Sequence, residues 1–90
     1  MEEGNKEMLE FMLIVLLADY DLMGLIVRGA PSDEYGPEAR TILRYLTEEN
    51  YNVKIDTLAN RVQYTFLIWF DEQVDMIPCI MIANEIKKMI

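Results

Sequence analysis

The sequence predicts an all-α protein, a small irregular four-helix bundle with one long ordered loop after the first helix. Three observations support this prediction. Apolar residues recur every three or four positions in several stretches of the chain. Residues typical of helix ends stand at the borders of these stretches. The one run that resembles a strand, Leu25-Ile26-Val27, has no second run with which to form a sheet.

Composition limits both the fold and the function. The 90 residues suffice for a single domain over residues 1–90, and 52% of them are hydrophobic, a balance typical of globular chains. Eight basic and 16 acidic side chains give a net charge of −8, which argues against nucleic acid and anionic membranes as partners. Histidine is absent, which excludes imidazole bases and histidine-containing metal sites. We therefore expect no enzymatic activity, no cofactor and no bound metal.

The first helix is predicted over about residues 5–18, and the loop over residues 19–36. Phe11 to Leu17 are apolar on every side of this helix, which indicates either the central helix of the bundle or a helix that also contacts another subunit. Asp19 is expected to end the helix, and the glycines and prolines that follow favour irregular backbone. Leu25-Ile26-Val27 is expected to pack into the helical core.

The second helix is predicted over residues 37–49, because Pro37 suits a first helical turn and an apolar stripe follows: Ala39, Ile42, Leu43 and Leu46. The third is predicted over residues 54–70, with Asp56 as its N-cap. Its core stripe is expected to comprise Ile55, Leu58, Ala59, Val62, Phe66, Trp69 and Phe70.

The fourth helix is predicted over residues 75–89, with Asp75 as its N-cap and Pro78 in its first turn. Its core seam is expected to be Ile80, Ala83, Ile86 and Ile90, widened by Ile77, Met81 and Ile82. Cys79 is the only cysteine, so we expect a buried, unreactive thiol in a cytoplasmic protein.

Two segments of the loop carry a family resemblance. Tyr20-Asp21 with Gly24, followed by Asp33-Glu34-Tyr35, resembles a small bacterial domain-of-unknown-function family. That family has an aromatic-Asp-Pro-x-Gly segment, then an Asp-Glu-Tyr-Asp segment, then an amphipathic helix. Leu22 and Gly36 depart from the pattern, at its proline and its last aspartate. The resemblance implies a small helical domain without an agreed activity.

The candidate interaction surface combines loop residues with an outward face of the third helix. Its members are Tyr20, Asp21, Asp33, Glu34, Tyr35, Tyr64 and Ile68. The alternative for the loop is structural, with Asp21 and Asp33 bonded to backbone amides and Tyr20 and Tyr35 packed inward. Arg28, Arg40, Arg44 and Arg61 are similarly open to two interpretations, an anion pocket or, as we expect, intramolecular ion pairs.

The apolar residues also exceed what one small core needs, which favours a binding partner or a second copy. We therefore expect an interaction protein, either a binding or inhibitor/immunity-type protein for a basic partner or a homo-oligomer, possessing no catalytic activity. The alternative is a ligand- or divalent-metal-binding domain, or a minor enzyme, that uses the loop carboxylates and tyrosines.

Overall fold

The computed structural model describes the backbone of residues 3–90 and the side chains from Asn5 onward. Four helices occupy this part of the chain: α1 (Glu3–Tyr20), α2 (Gly36–Glu48), α3 (Ile55–Phe70) and α4 (Met76–Met89). No strand occurs within residues 3–90. The prediction of a small all-α four-helix bundle is confirmed, with residues 1 and 2 of the predicted domain outside the described range.

The first helix is longer than predicted. It continues through Asp19 to Tyr20 and ends where Asp21 takes a left-handed backbone conformation, with φ of 48°. The amide of Asp21 still donates to the carbonyl of Leu17 at 2.8 Å. A left-handed residue directly after the last turn is a common helix end. Asp19 therefore does not end α1, and the irregular loop spans residues 21–35.

The predicted helix caps are correct for α4 and wrong for α3. The Asp75 carboxylate accepts from the Ile77 amide at 3.0 Å, as an N-cap does. The N-cap of α3 is Lys54, without a side-chain hydrogen bond. Asp56 lies two residues further in, where its carboxylate accepts from the neighbouring Thr57 amide at 2.8 Å. In that position its charge still complements the helix dipole.

The helices form a ring in which α1 contacts α2 and α4, and α3 contacts the same two helices. Within the described residues, α1 and α3 have no Cα atoms within 8 Å of one another, and the two helices lie diagonally across the bundle. Trp69, near the end of α3, donates to the Thr41 hydroxyl midway along α2 at 3.0 Å. Lys87, near the end of α4, donates to the carbonyl of Val53 before α3. This second contact joins the end of one helix to the start of its neighbour, as in an antiparallel pair.

The core contains the predicted α2 stripe but only part of the stripes predicted for α3 and α4. Ile55 and Trp69 are exposed near the two ends of α3. On α4 the predicted seam is rotated, since Ile77, Ile80 and Met81 are exposed while Cys79, Ile82, Ala83 and Ile86 are buried. Neither α1 nor α3 is fully central, because each leaves large apolar side chains in solvent.

The loop closes one end of the bundle. Leu25 and Ile26 pack against the core, as predicted, whereas Val27 is 84% exposed. The Tyr35 ring lies 5.9 Å from the Phe66 ring of α3, between centroids. Leu22, Met23 and Arg28 line a groove together with residues at the start of α4. Within the described residues, no helix is long and apolar enough to cross a membrane.

Candidate functional site: the outward face of α1

Asp21 organises the loop from its first residue. One carboxylate oxygen, Oδ1, accepts from the Ile26 amide at 3.0 Å and from the Tyr35 hydroxyl at 2.6 Å. The other, Oδ2, accepts from the Val27 amide at 3.1 Å. These bonds, led by the one from Tyr35, hold the pKa of Asp21 below its usual value. The carboxylate is therefore engaged in holding the loop.

Tyr35 completes this arrangement from the other end of the loop. Its side chain is fully buried, and its hydroxyl also accepts from the Met23 amide at 3.1 Å. Burial and the bond to Asp21 raise the pKa of Tyr35 to about 12. Its place in the predicted interaction surface is therefore wrong, because a fully buried ring cannot contact a partner. For Asp21 and Tyr35 the structural alternative describes the geometry.

The remaining members of the predicted surface lie in separate places. Tyr20 is half-buried and packs against the core, while Asp33 and Glu34 are exposed in the loop. Tyr64 and Ile68 are exposed on α3, the helix diagonal to α1. The structure thus does not join the loop residues and the α3 residues into one surface. Asp33 makes no side-chain hydrogen bond to a backbone amide among the described residues, unlike Asp21.

A different apolar surface emerges on α1. Its outward side chains, which we call the α1 face, are Met8, Phe11, Met12 and Val15, all of them exposed. Their spacing of i, i+3, i+4 and i+7 places them on one side of the helix. The buried residues Leu9, Leu13, Leu16 and Leu17 occupy the opposite side. The sequence of α1 shows two apolar stripes, but it does not determine which of them is buried.

Two grooves flank the α1 face and share Phe11, Val15 and Asp19 as walls. The α4 groove, of about 320 Å³, lies between α1 and α4 and includes Glu85. The loop groove, of about 280 Å³, lies between α1 and the loop and includes Asp33. Phe11 and Val15 therefore form a ridge between two depressions. A ridge with grooves on both sides is the shape that packs against another helix.

The charges around this face have one sign. Asp19 lines both grooves, Glu85 lines the α4 groove and Asp33 lines the loop groove. Among the described residues, no lysine or arginine lines either groove. The ion pair near α1, between Glu10 and Arg40 at 3.8 Å, bridges to α2 instead. The α1 face is thus an apolar ridge bordered by carboxylates.

Side chains suited to catalysis or metal binding do not cluster in the described part of the chain. No cluster of three or more cysteine, aspartate or glutamate side chains is placed there to hold a metal ion. Cys79 is fully buried, as predicted, and burial raises the pKa of its thiol to about 11. A thiol with such a pKa is almost entirely protonated near neutral pH.

The α1 face exposes large apolar side chains that a monomer on its own does not require at its surface. Comparisons of the chain with protein-family models, with curated proteins and with solved structures find no match.

Proposed function

We propose that the protein is an interaction domain without catalytic activity, which binds a partner protein through its α1 face. The observation that carries this proposal is the exposure of four large apolar side chains on one side of α1, with Phe11 62% exposed. Burial of such side chains against a partner is favourable at about 25 cal/mol per Å² of apolar surface. Aromatic residues and methionines are also enriched at interfaces.

The carboxylates around the face define the chemistry of the partner. A partner with apolar side chains in the middle and lysine or arginine at the edge would complement Asp19, Asp33 and Glu85. The net charge of −8 would further accelerate association with a basic protein. A concrete version is an inhibitor or immunity-type protein that masks a basic partner.

Self-association through the same face is less favourable. A two-fold dimer places the same patch of each copy against the other, so the carboxylates bordering one face would approach those of its copy. The net charge of −8 on each chain adds to this repulsion. A dimer through Tyr64 and Ile68 of α3 is the competing proposal, since both are exposed.

Two further properties belong to the proposal. The absence of catalytic activity is supported by the lack of histidine and by the pKa values of Tyr35 and Cys79, which burial moves away from neutrality. A cytoplasmic location is supported by a single, buried cysteine in its thiol form. The loop resemblance adds a proposed bacterial family of small helical domains and implies no activity.

The experiment compares Phe11→Ser with Ile68→Ser, a control matched in exposure (62% and 58%) on the diagonal helix. Tagged wild-type protein and both variants are used to capture partners from host lysate, with elution in a salt gradient. We expect wild type and I68S to retain the same basic protein, and F11S to bind it at least about tenfold more weakly.

Three results would contradict the proposal. Loss of the partner with I68S but not with F11S would place binding on α3. Elution that does not depend on salt would show that the carboxylates do not contribute to recognition of the partner. Sedimentation of the wild type as a dimer that I68S dissolves would establish the homo-oligomer instead.

A further inference from the structure

Arg61 differs from the other arginines of the chain. Arg28, Arg40 and Arg44 are exposed, whereas Arg61 is half-buried on α3. Its guanidinium lies 4.5 Å from the centroid of the Tyr45 ring and 5.6 Å from that of Tyr64. Both distances fall within the range of cation–π attraction. The two rings therefore hold the guanidinium in place without neutralising its charge.

The expected ion pair of Arg61 is not formed. Among the described residues, the ion pairs within 4 Å join Arg40 to Glu10 and Lys88 to Glu85. The hydrogen bonds of the same residues do not include an acceptor for the Arg61 side chain. A guanidinium has five N–H donors in a planar fork. In a chain with 16 carboxylates, this half-buried fork is left with its donors available.

The surroundings of Arg61 form a small polar pocket. The Arg61 pocket, of about 250 Å³, is lined by Tyr45, Thr57, Asn60, Arg61 and Tyr64. Four of these residues stand on α3 at a spacing of i, i+3, i+4 and i+7, which brings them to one side of the helix. Every lining residue carries a hydrogen-bond donor, and none carries a carboxylate.

We propose that the Arg61 pocket binds the oxyanion group of a small molecule, a phosphate or a carboxylate. The guanidinium fork matches the paired oxygens of either group. The Thr57 hydroxyl, the Asn60 amide and the tyrosine hydroxyls supply further donors around it. The pocket is smaller than those that enclose drug-sized ligands, so it suits the anionic group of a ligand.

This site is independent of the proposed interaction through the α1 face. The pocket belongs to α2 and α3, whereas the α1 face lies on the helix diagonal to α3. Failure of one proposal leaves the other untouched, because Phe11→Ser and Arg61→Met change different sides of the bundle.

The test follows the backbone amides of the protein by nuclear magnetic resonance during titration with potassium phosphate and, separately, sodium acetate. Potassium chloride keeps the ionic strength constant in both. We expect saturable shifts confined to Thr57, Asn60, Arg61, Tyr64 and their neighbours, from one or both anions. Saturation by one anion alone identifies the group recognised, and saturation by both shows that the pocket accepts either oxyanion.

Arg61→Met is expected to weaken binding at least about tenfold, since a hydrogen bond to a charged group contributes more than a neutral one. Arg44→Met, which removes an exposed arginine outside the pocket, is expected to bind as the wild type does. If R61M does not fold, Arg61→Lys replaces it, because lysine keeps the charge but lacks the fork. Shifts that rise linearly, spread over the molecule or persist unchanged in the Arg61 variant would overturn the proposal.

Discussion

Tyr35 and Asp21 are joined by a hydrogen bond of 2.6 Å across 14 positions of sequence, and this bond closes the loop between α1 and α2. The two residues differ in environment, since the tyrosine is fully buried whereas the aspartate is partly exposed. The bond thereby links the core near Phe66 to the backbone amides of Ile26 and Val27. The loop motif is a structural element of this fold.

Removal of the Tyr35 hydroxyl is expected to destabilise the protein. Tyr35→Phe keeps the ring against Phe66 but removes one of the three hydrogen bonds to the Asp21 carboxylate and the acceptor of the Met23 amide. We expect the free energy of unfolding to fall by about 1–2 kcal/mol, measured by urea denaturation. In a double-mutant cycle with Asp21→Asn, the combined loss should be smaller than the sum of the single losses.

Tyr64→Phe is the matched control, because the Tyr64 side chain is half-exposed. It should change the free energy of unfolding by less than about 0.5 kcal/mol. Equal stability of Tyr35→Phe and wild type would show that the hydroxyl bonds do not stabilise the loop.

The alkaline titration should separate Tyr35 from the other tyrosines. Its pKa is about 12 in the folded protein, above the ordinary value of 10.0. A raised pKa stabilises the folded state fully below pH 10, and this contribution is lost as the pH rises towards 12. We expect one of the five tyrosines to ionise late in the absorbance at about 295 nm. This late step should disappear in Tyr35→Phe.

Glu38 is expected to destabilise the protein at neutral pH. It stands in the first turn of α2, where the helix dipole favours a carboxylate, yet it is buried and its Oε2 has no hydrogen-bond partner among the described residues. Burial raises the pKa of Glu38 above its usual 4.5. The raised pKa of Glu38 therefore adds to the free energy of unfolding fully below pH 4.5, and this contribution is lost as the pH rises through the folded pKa.

Glu38→Gln is expected to raise the melting temperature at pH 7 and to lose this advantage at pH 4. The matched control is Glu72→Gln, since Glu72 is exposed between α3 and α4. A melting temperature that E38Q lowers at pH 7 would mean that the Glu38 charge is stabilised by the helix dipole after all.

Cys79 is expected to be inert in the folded protein. Its side chain is fully buried and its pKa is about 11, so both access and thiolate fraction are low at pH 8. In the native protein, reaction of the thiol with dithiobis(nitrobenzoate) should proceed only as fast as the protein unfolds. In guanidinium, which unfolds the protein, the reaction should finish within seconds. Rapid reaction of the native protein at pH 8 would contradict this burial.

The sequence predicts the helices well because their ends carry local signals. Pro37 and Asp75 act within one turn of their own positions, so neighbouring residues suffice to interpret them. The choice of buried side is different for α1 and α4. Both helices are apolar around most of their circumference, and only the position of the other helices decides that Leu13 is buried and Phe11 exposed.

The same limit applies to the candidate sites. The loop pattern draws attention to Asp21 and Tyr35, but their direct bond depends on a fold that brings distant positions together. The sequence offers 16 carboxylates as possible ion-pair partners for Arg61. Its guanidinium instead lies over the Tyr45 ring, because α2 packs against α3. Side-chain partners across elements require the tertiary structure.

The burial of Tyr35 has a consequence for the motion of the loop. Opening the loop would withdraw this ring from its place beside Phe66 and expose the core, so the loop cannot swing as a lid while the bundle stays folded. The Met23 and Ile26 amides, which donate to Tyr35 and Asp21, should therefore exchange with deuterium nearly as slowly as the most protected helical amides. The loop then unfolds only together with the helices that it joins.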